Sequence, residues 1–295
     1  MIPVPVHFGD GLAGRAVVRG TDPVLWIHGY TLDSSIWHEL WDCLPNWTHL
    51  GVDLPGHGGS LPLPPGTGLT TLALRLARLA RREGATRLVG LSFGGMVALQ
   101  VAIELAGDLH ALVLSSPGLG GGPQDRLAQV RHLELLRLYR TRGPGPWLTD
   151  LWMTSPPDIF TGAAADPDLW EVLRSVVQRH RWQELADGSM QGLTAHSQTA
   201  QDLALISAAT LVVVGEHDMP AFKRCAELIR RAVTACRRVY LPDAGHLGLL
   251  EAPSIAAPLV DGHLRRRPSE PGPARSLGQL NVSPGGLATQ STSAL

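Results

Sequence analysis

The sequence predicts an α/β fold: a mostly parallel, doubly wound sheet with a helical insert after its sixth strand. Three observations carry that expectation. Compact apolar runs, suited to strands buried on both faces, recur at Val24–Ile27, Leu88–Gly90, Ala111–Leu114 and Thr210–Val214. Segments with helical apolar spacing separate them, the alternation of a parallel sheet built from crossover units. Between Gly118 and about Ser207 the alternation stops and a leucine- and tryptophan-bearing stretch takes over.

Bulk properties bound the rest. The chain has 295 residues, 44% hydrophobic and 17% charged, enough for one large core with an insertion. Its formal net charge is −1 and no long run carries one sign, so neither nucleic acid nor an anionic membrane is expected as a partner. Cys43, Cys225 and Cys236 are scattered and form no CxxC pair, which fits thiols in a reducing compartment better than a metal or redox site. The N-terminal residues carry no basic leader or long apolar run, and no stretch approaches the roughly 18 apolar residues of a membrane span. The cytoplasm is therefore the expected location. Of the basic residues only Lys223 is lysine, a coding bias that suggests a GC-rich, bacterial genome.

Taken in order, Val4–Phe8 and Arg15–Val18 read as a hairpin about Gly9-Asp10-Gly11. The strand Val24–Ile27 ends in His28-Gly29-Tyr30, and the next, about Leu50–Val52, runs into the turn-rich Asp53-Leu54-Pro55-Gly56-His57-Gly58-Gly59-Ser60. Leu69, Leu72, Leu76 and Leu79 mark a helix that Gly84 stops. Gly94–Leu105 is a small-residue helix after the Leu88–Gly90 strand, and Arg238–Leu241 is the last strand.

Within the insert, Pro123–Arg140 reads as helix. Asp166-Pro167 suits the start of another, striped by Leu169, Val172, Leu173, Val176 and Val177. Trp147, Trp152, Trp170 and Trp182, four of the eight tryptophans, lie here. The expected organisation is a core of residues 1–117 and 208–267, a helical cap over 118–207 at the carboxyl edge of the sheet, and a tail over 268–295. That tail is too rich in Pro, Gly, Ser and Thr to offset its ordering entropy and is expected to be disordered.

Gly90-Leu91-Ser92-Phe93-Gly94 fits the GxSxG turn between a strand and a helix. Glycines two before and two after the serine let the chain turn sharply, and the turn aims the hydroxyl at a helix N-terminus that favours negative charge. A serine needs a base. His246, in Asp243-Ala244-Gly245-His246 after the last strand, fits best among twelve histidines; His57 reads as a loop residue shaping the site and His217 as a neighbour of the acid. The acid that orients the base is expected at Asp218, at the end of Gly215-Glu216-His217-Asp218, with Glu216 and Asp243 as alternatives. Ser115-Ser116-Pro117-Gly118, the other usual place, offers no carboxylate. Oxyanion donors are expected from the backbone N–H groups of Phe93 and Tyr30. Trp152 and Met153, in an irregular stretch between cap helices, and His196 are candidates for the pocket wall. Nothing in this chemistry calls for a metal or cofactor.

These segments together resemble the α/β-hydrolase superfamily. The likeness spans Trp26 to His263 and adds Trp37, the Asp53–Ser60 loop and Glu251-Ala252-Pro253 to the segments above. The order Ser, Asp, His is the superfamily's, and Gly-Leu-Ser-Phe-Gly-Gly-Met is similar to the elbow of bacterial carboxylesterases and enol-lactonases. A serine nucleophile sets the chain apart from the dehalogenase and epoxide-hydrolase branches, and no HGGG motif is present. Pro258 departs from a regular last helix and implies a kink or an early end. The resemblance implies a serine hydrolase acting on a small or medium apolar carboxylic ester, lactone or thioester. The same frame also serves non-hydrolytic enzymes of secondary metabolism, lyases or cyclases of polyketide-like intermediates, which a water-excluding cap would suit. A ligand-binding receptor that keeps the triad rests on fold analogy alone.

Overall fold

In a computed structural model, which describes residues 2–64 and 66–266, eight strands form one sheet. They are β1 (Val4–Gly9), β2 (Leu12–Val17), β3 (Pro23–Ile27), β4 (Thr48–Val52), β5 (Arg87–Leu91), β6 (Ala111–Ser115), β7 (Ala209–Gly215) and β8 (Cys236–Leu241). The helices are α1 (His38–Asp42), α2 (Leu69–Arg82), α3 (Phe93–Leu105), α4 (Arg126–Arg142), α5 (Pro146–Met153), α6 (Pro167–Gln178), α7 (Glu184–Asp187), α8 (Ser189–Thr194), α9 (Ala200–Leu203), α10 (Pro220–Ala232), α11 (Gly248–Glu251) and α12 (Pro253–Leu264). The expected disordered tail, 268–295, lies outside the described residues.

The sheet order is β1-β2-β4-β3-β5-β6-β7-β8. The pairs β1/β2 and β2/β4 are antiparallel and the rest parallel, so the doubly wound reading holds from β4 onward. Continuous apolar sequence has the expected cause: every residue of β5 and β6 is buried, because helices cover both faces. On one face α2 and α3 pack Leu69, Leu72, Leu76, Val97 and Val101 against Leu25, Ile27 and Leu88. On the other, Trp26, Trp37 and Trp41 meet Val260 and Leu264 of α12, and the same apolar cluster continues into the cap through Leu148, Leu173 and Trp182. Among the described residues no helix is long and apolar enough to cross a membrane.

The chain leaves the sheet after β6, runs through α4–α9 and returns at β7. The Asp166 carboxylate caps α6 by accepting the N–H groups of Asp168 and Leu169. Of the expected stripe, Leu169, Leu173, Val176 and Val177 are buried, but Val172 is 48% exposed. The position lies at the edge of an apolar face that four residues already fill. Helix α12 does not end at Pro258 but runs on to Leu264. Pro258 removes only the bond to the Ser254 carbonyl, and both residues are on the exposed side, where water can serve that carbonyl.

Candidate active site

Ser92 sits between β5 and α3 with φ +56° and ψ −117°, a conformation that costs an ordinary residue on the order of 1–3 kcal/mol. The surroundings hold it. Its N–H donates to the Ser115 carbonyl at 2.8 Å, and its own carbonyl accepts from Gly95, Met96 and Gly118 at 2.9, 3.2 and 3.0 Å. The glycine pattern has a steric cause. A Cβ on Gly90 would lie 2.7 Å from the Gly94 carbonyl oxygen, and one on Gly94 would lie 2.2 Å from the His28 carbonyl oxygen.

Three residues from separate loops meet at the hydroxyl. Ser92 Oγ is 2.8 Å from His246 Nε2, and His246 Nδ1 is 2.8 Å from Asp218 Oδ1. The latter oxygen also accepts the Met219 N–H at 2.7 Å. Asp218 Oδ2 is buried and, among the described residues, has no hydrogen-bond partner. An acceptor on Nδ1 fixes the imidazole tautomer with its proton there, leaving Nε2 to take a proton from serine. The other acids weighed for this place, Glu216 and Asp243, are exposed, as is His217.

The His246 loop has a support of its own. The Glu251 carboxylate accepts the N–H groups of Gly245 at 2.5 Å and Leu247 at 3.0 Å, one on each side of the histidine. Burial pushes the Glu251 carboxyl up from its ordinary range, and those two N–H groups only partly offset it.

The loop after β3 faces the same hydroxyl: a Cβ on Gly29 would be 3.4 Å from Ser92 Cβ. Its geometry is set by two histidines. Leu54 N–H donates to His28 Nε2 at 2.9 Å, so the proton is on Nδ1, which donates to the Gly29 carbonyl at 2.8 Å. The Leu32 N–H donates to that same carbonyl at 3.2 Å. Because a peptide is planar, pinning the Gly29 oxygen also fixes the direction of the Tyr30 N–H. Thr31 N–H donates to His57 Nε2 at 3.2 Å, and His57 Nδ1 donates to the Pro55 carbonyl at 3.0 Å. Both rings are therefore neutral supports. Burial lowers the pKa of each, that of His57 well below its ordinary value, with His180 and His28 adding to the effect at His57. Among the described residues, neither the Tyr30 nor the Phe93 N–H has a hydrogen-bond partner, so both are free to receive an oxyanion.

A cavity of about 620 Å³ opens at Ser92 and His246. Its walls are mainly apolar, with Met96 from the core, Leu119 from the entry to the insert, Leu133, Trp152 and Phe160 from the cap, and Phe222 beside the His246 ring at 4.3 Å. Gln129, His132 and Gln191 supply polar groups, and no arginine or lysine is among the described lining residues. Burial lowers the pKa of His132, opposed by the Glu184 charge.

The three residues expected to line the pocket fare differently. Trp152 lines it; Met153 is buried beside it in the apolar cluster but is not part of the wall; His196 is half-buried outside it, its carbonyl packed on Gly120. Trp152 and Met153 also do not lie in an irregular stretch but close helix α5, which is too short for its spacing to show in the sequence. Sequence reasoning missed Met96, Leu119 and Phe222, whose apolar side chains look like ordinary core.

The fold and this site define an α/β hydrolase. The model of the alpha/beta hydrolase family matches residues 24–257, and the chain belongs to that family. It is 28% identical to the 2-succinyl-6-hydroxy-2,4-cyclohexadiene-1-carboxylate synthase of Enterobacter sp. (strain 638), over 86% of this chain and 95% of that one. It is 29% identical to lipase LipV of Mycobacterium tuberculosis, over 84% and 95%. Two further curated relatives are matched only in part, over 30% and 42% of their length. A thermophilic esterase from Thermogutta terrifontis shares the fold with a TM-score of 0.70 at 24% identity, over 90% of this chain and 98% of that one.

Proposed function

We propose that this protein hydrolyses uncharged carboxylic esters, lactones or thioesters of small to medium size through an acyl-enzyme on Ser92. The observation that carries the reading is the hydrogen-bonded chain Ser92–His246–Asp218 at the mouth of an apolar cavity. His246 Nε2 takes the hydroxyl proton as Oγ attacks the carbonyl carbon, and Asp218 stabilises the imidazolium. Charge on the substrate oxygen is met by the Phe93 and Tyr30 N–H groups, each such donor being worth about 10²–10³ in rate. His246 then protonates the leaving group. Water, deprotonated by the same nitrogen, releases the acid and restores Ser92.

A second reading, elimination or ring closure without net hydrolysis, has one observation in its favour: the near full-length likeness to the synthase. The cavity counts against it for a substrate like that one. The synthase's printed product is a carboxylate, and anionic groups are met by Arg or Lys, neither of which is among the described lining residues here. Three free cysteines suit a reducing compartment, which keeps the cytoplasm as the proposed location.

The test is a panel of p-nitrophenyl esters with acyl chains of two to twelve carbons, set against hemisuccinate esters of matched size. Hydrolysis of the neutral esters with kcat/KM about 10²-fold or more above the anionic ones is expected, the scale of one unpaired buried charge. Equal or better turnover of the anionic series would refute the substrate class. No turnover of any ester by the wild type would refute ester hydrolysis itself.

A further inference from the structure

We infer that the cap is part of the oxyanion machinery: Glu184 and Trp152 are positioning residues that hold Tyr30 and the strained Thr31 in place. This inference rests on the reading of Ser92 as nucleophile and Tyr30 N–H as oxyanion donor. Thr31 has φ +63°, an outlier for a β-branched residue, and such strain persists only where neighbours enforce it.

The cap supplies that enforcement at two consecutive residues. From α5, Trp152 Nε1–H donates to Thr31 Oγ1 at 2.7 Å, and the Thr31 hydroxyl in turn donates to the Tyr30 carbonyl at 2.6 Å. From α7, Glu184 Oε1 accepts the Tyr30 hydroxyl at 2.6 Å. Thr31, Trp152 and Glu184 are buried, at 1%, 6% and 8% exposure, and Tyr30 is half-buried. Glu184 has no Arg or Lys partner in the ion pairs among the described residues; His180 Nε2 lies 3.0 Å from the same oxygen. Burial alone would raise the Glu184 carboxyl, but the His180 hydrogen bond and charge, with the Tyr30 hydroxyl, hold it below its ordinary value. A third contact widens the grip: the Arg179 guanidinium reaches Asp33 at 2.8 and 3.1 Å.

A buried carboxylate on a tyrosine hydroxyl is a costly way to glue two domains, since apolar packing would serve. Here the hydrogen bond has a direction. It ties the Tyr30 ring to α7 of the cap, while His28 and His57 hold the backbone from the core. Releasing the cap side frees Thr31 to leave its strained well and the Tyr30–Thr31 peptide to turn; the Gly29–Tyr30 peptide that carries the N–H, held at its oxygen by His28 and Leu32, then loses its support on the Tyr30 side. The donor is thus complete only with the cap seated.

The experiment compares Tyr30→Phe and Glu184→Gln with wild type on p-nitrophenyl butyrate, together with binding of an alkyl boronic acid, which forms a tetrahedral adduct on serine. Tyr30→Phe is expected to lose about 10-fold in kcat with KM within about 2-fold, the scale of one charge-assisted hydrogen bond. Boronate affinity should fall by the same factor. Glu184→Gln keeps an acceptor without the charge and should lose about 3-fold in both. The double variant should be no worse than Tyr30→Phe, because one contact is removed. Unchanged kcat and boronate affinity, with or without a lower Tm, would overturn the inference and leave Tyr30–Glu184 as packing. If Tyr30→Phe does not fold, the Glu184→Gln pair of measurements decides by the same criterion. Wild-type inactivity on all esters would instead strike the Ser92 reading, and would be seen before any variant is compared.

Discussion

Replacing Gly94 by alanine tests how tightly the serine turn is built against the loop after β3. The added Cβ would lie 2.2 Å from the His28 carbonyl oxygen and 2.6 Å from that of Ile27. A carbon–oxygen contact is comfortable at about 3.3 Å, so something must move by about 1 Å. Neither side is a flexible side chain: one is the end of β3 and the other the first turn of α3. The carbonyl that must yield belongs to His28, one peptide before the Gly29–Tyr30 unit that carries the proposed oxyanion donor. A displacement of that size costs about 10²-fold in rate, and the overpacking itself about 1–3 kcal/mol. The assay is kcat on p-nitrophenyl butyrate with a thermal melt of the same preparation. Gly94→Ala should lose about 10²-fold in kcat, and Tm should fall by several degrees. Gly107→Ala is the control, because a Cβ there meets nothing within 4 Å. Activity of Gly94→Ala within about 3-fold of wild type at unchanged Tm would refute the steric account.

Two further perturbations separate support from chemistry. Glu251→Gln leaves one acceptor for two N–H groups, and its amide faces the other donor. The unsatisfied donor costs on the order of 1–3 kcal/mol. About a 10-fold loss in kcat with little change in KM is expected, and full activity would show that the His246 loop does not need this carboxylate. The second concerns acid lability. His49 is buried, stacks on Trp41, donates Nε2–H to the Leu44 carbonyl and has no partner for Nδ1 among the described residues. Burial lowers its pKa from 6.5 to about 4. The folded state therefore binds fewer protons than the unfolded chain in that window. Its contribution is complete above pH 6.5 and is lost as pH falls toward 4, on the order of 3 kcal/mol. His49→Gln keeps the donor without the titration and should make the slope of unfolding free energy against pH between 6.5 and 4 shallower by that one histidine's share, His28, His57 and His263 keeping theirs. An unaltered slope would contradict the assignment.

Much of the fold was legible in the sequence because its signals are local. Strands buried on both faces read as short apolar runs, α2 shows its leucine stripe over about three turns, and the serine turn shows itself through two glycines at which a Cβ would have no room. Ser92, Asp218 and His246 could be proposed because each lies in the loop just after a strand, in a known order, although the contacts among them span 28 and 154 residues. The grip of the cap on the Tyr30 loop carried no such signal. Trp152 and Glu184 meet Thr31 and Tyr30 across 121 and 154 residues, and no spacing rule links them. Helix α5 was hidden because its eight residues include two tryptophans and end before Ser155-Pro156-Pro157. His196 looked reactive by type alone, yet the chain carries it past the cavity.

The most direct measurement is the intact mass of the protein after treatment with an alkyl fluorophosphonate, followed by peptide mapping. One adduct is expected, on Ser92. It should disappear in Ser92→Ala and form far more slowly in His246→Ala, since the hydroxyl then lacks its base. An adduct that persists in Ser92→Ala, or a wild type that hydrolyses esters without being labelled, would contradict the central claim that Ser92 is the nucleophile.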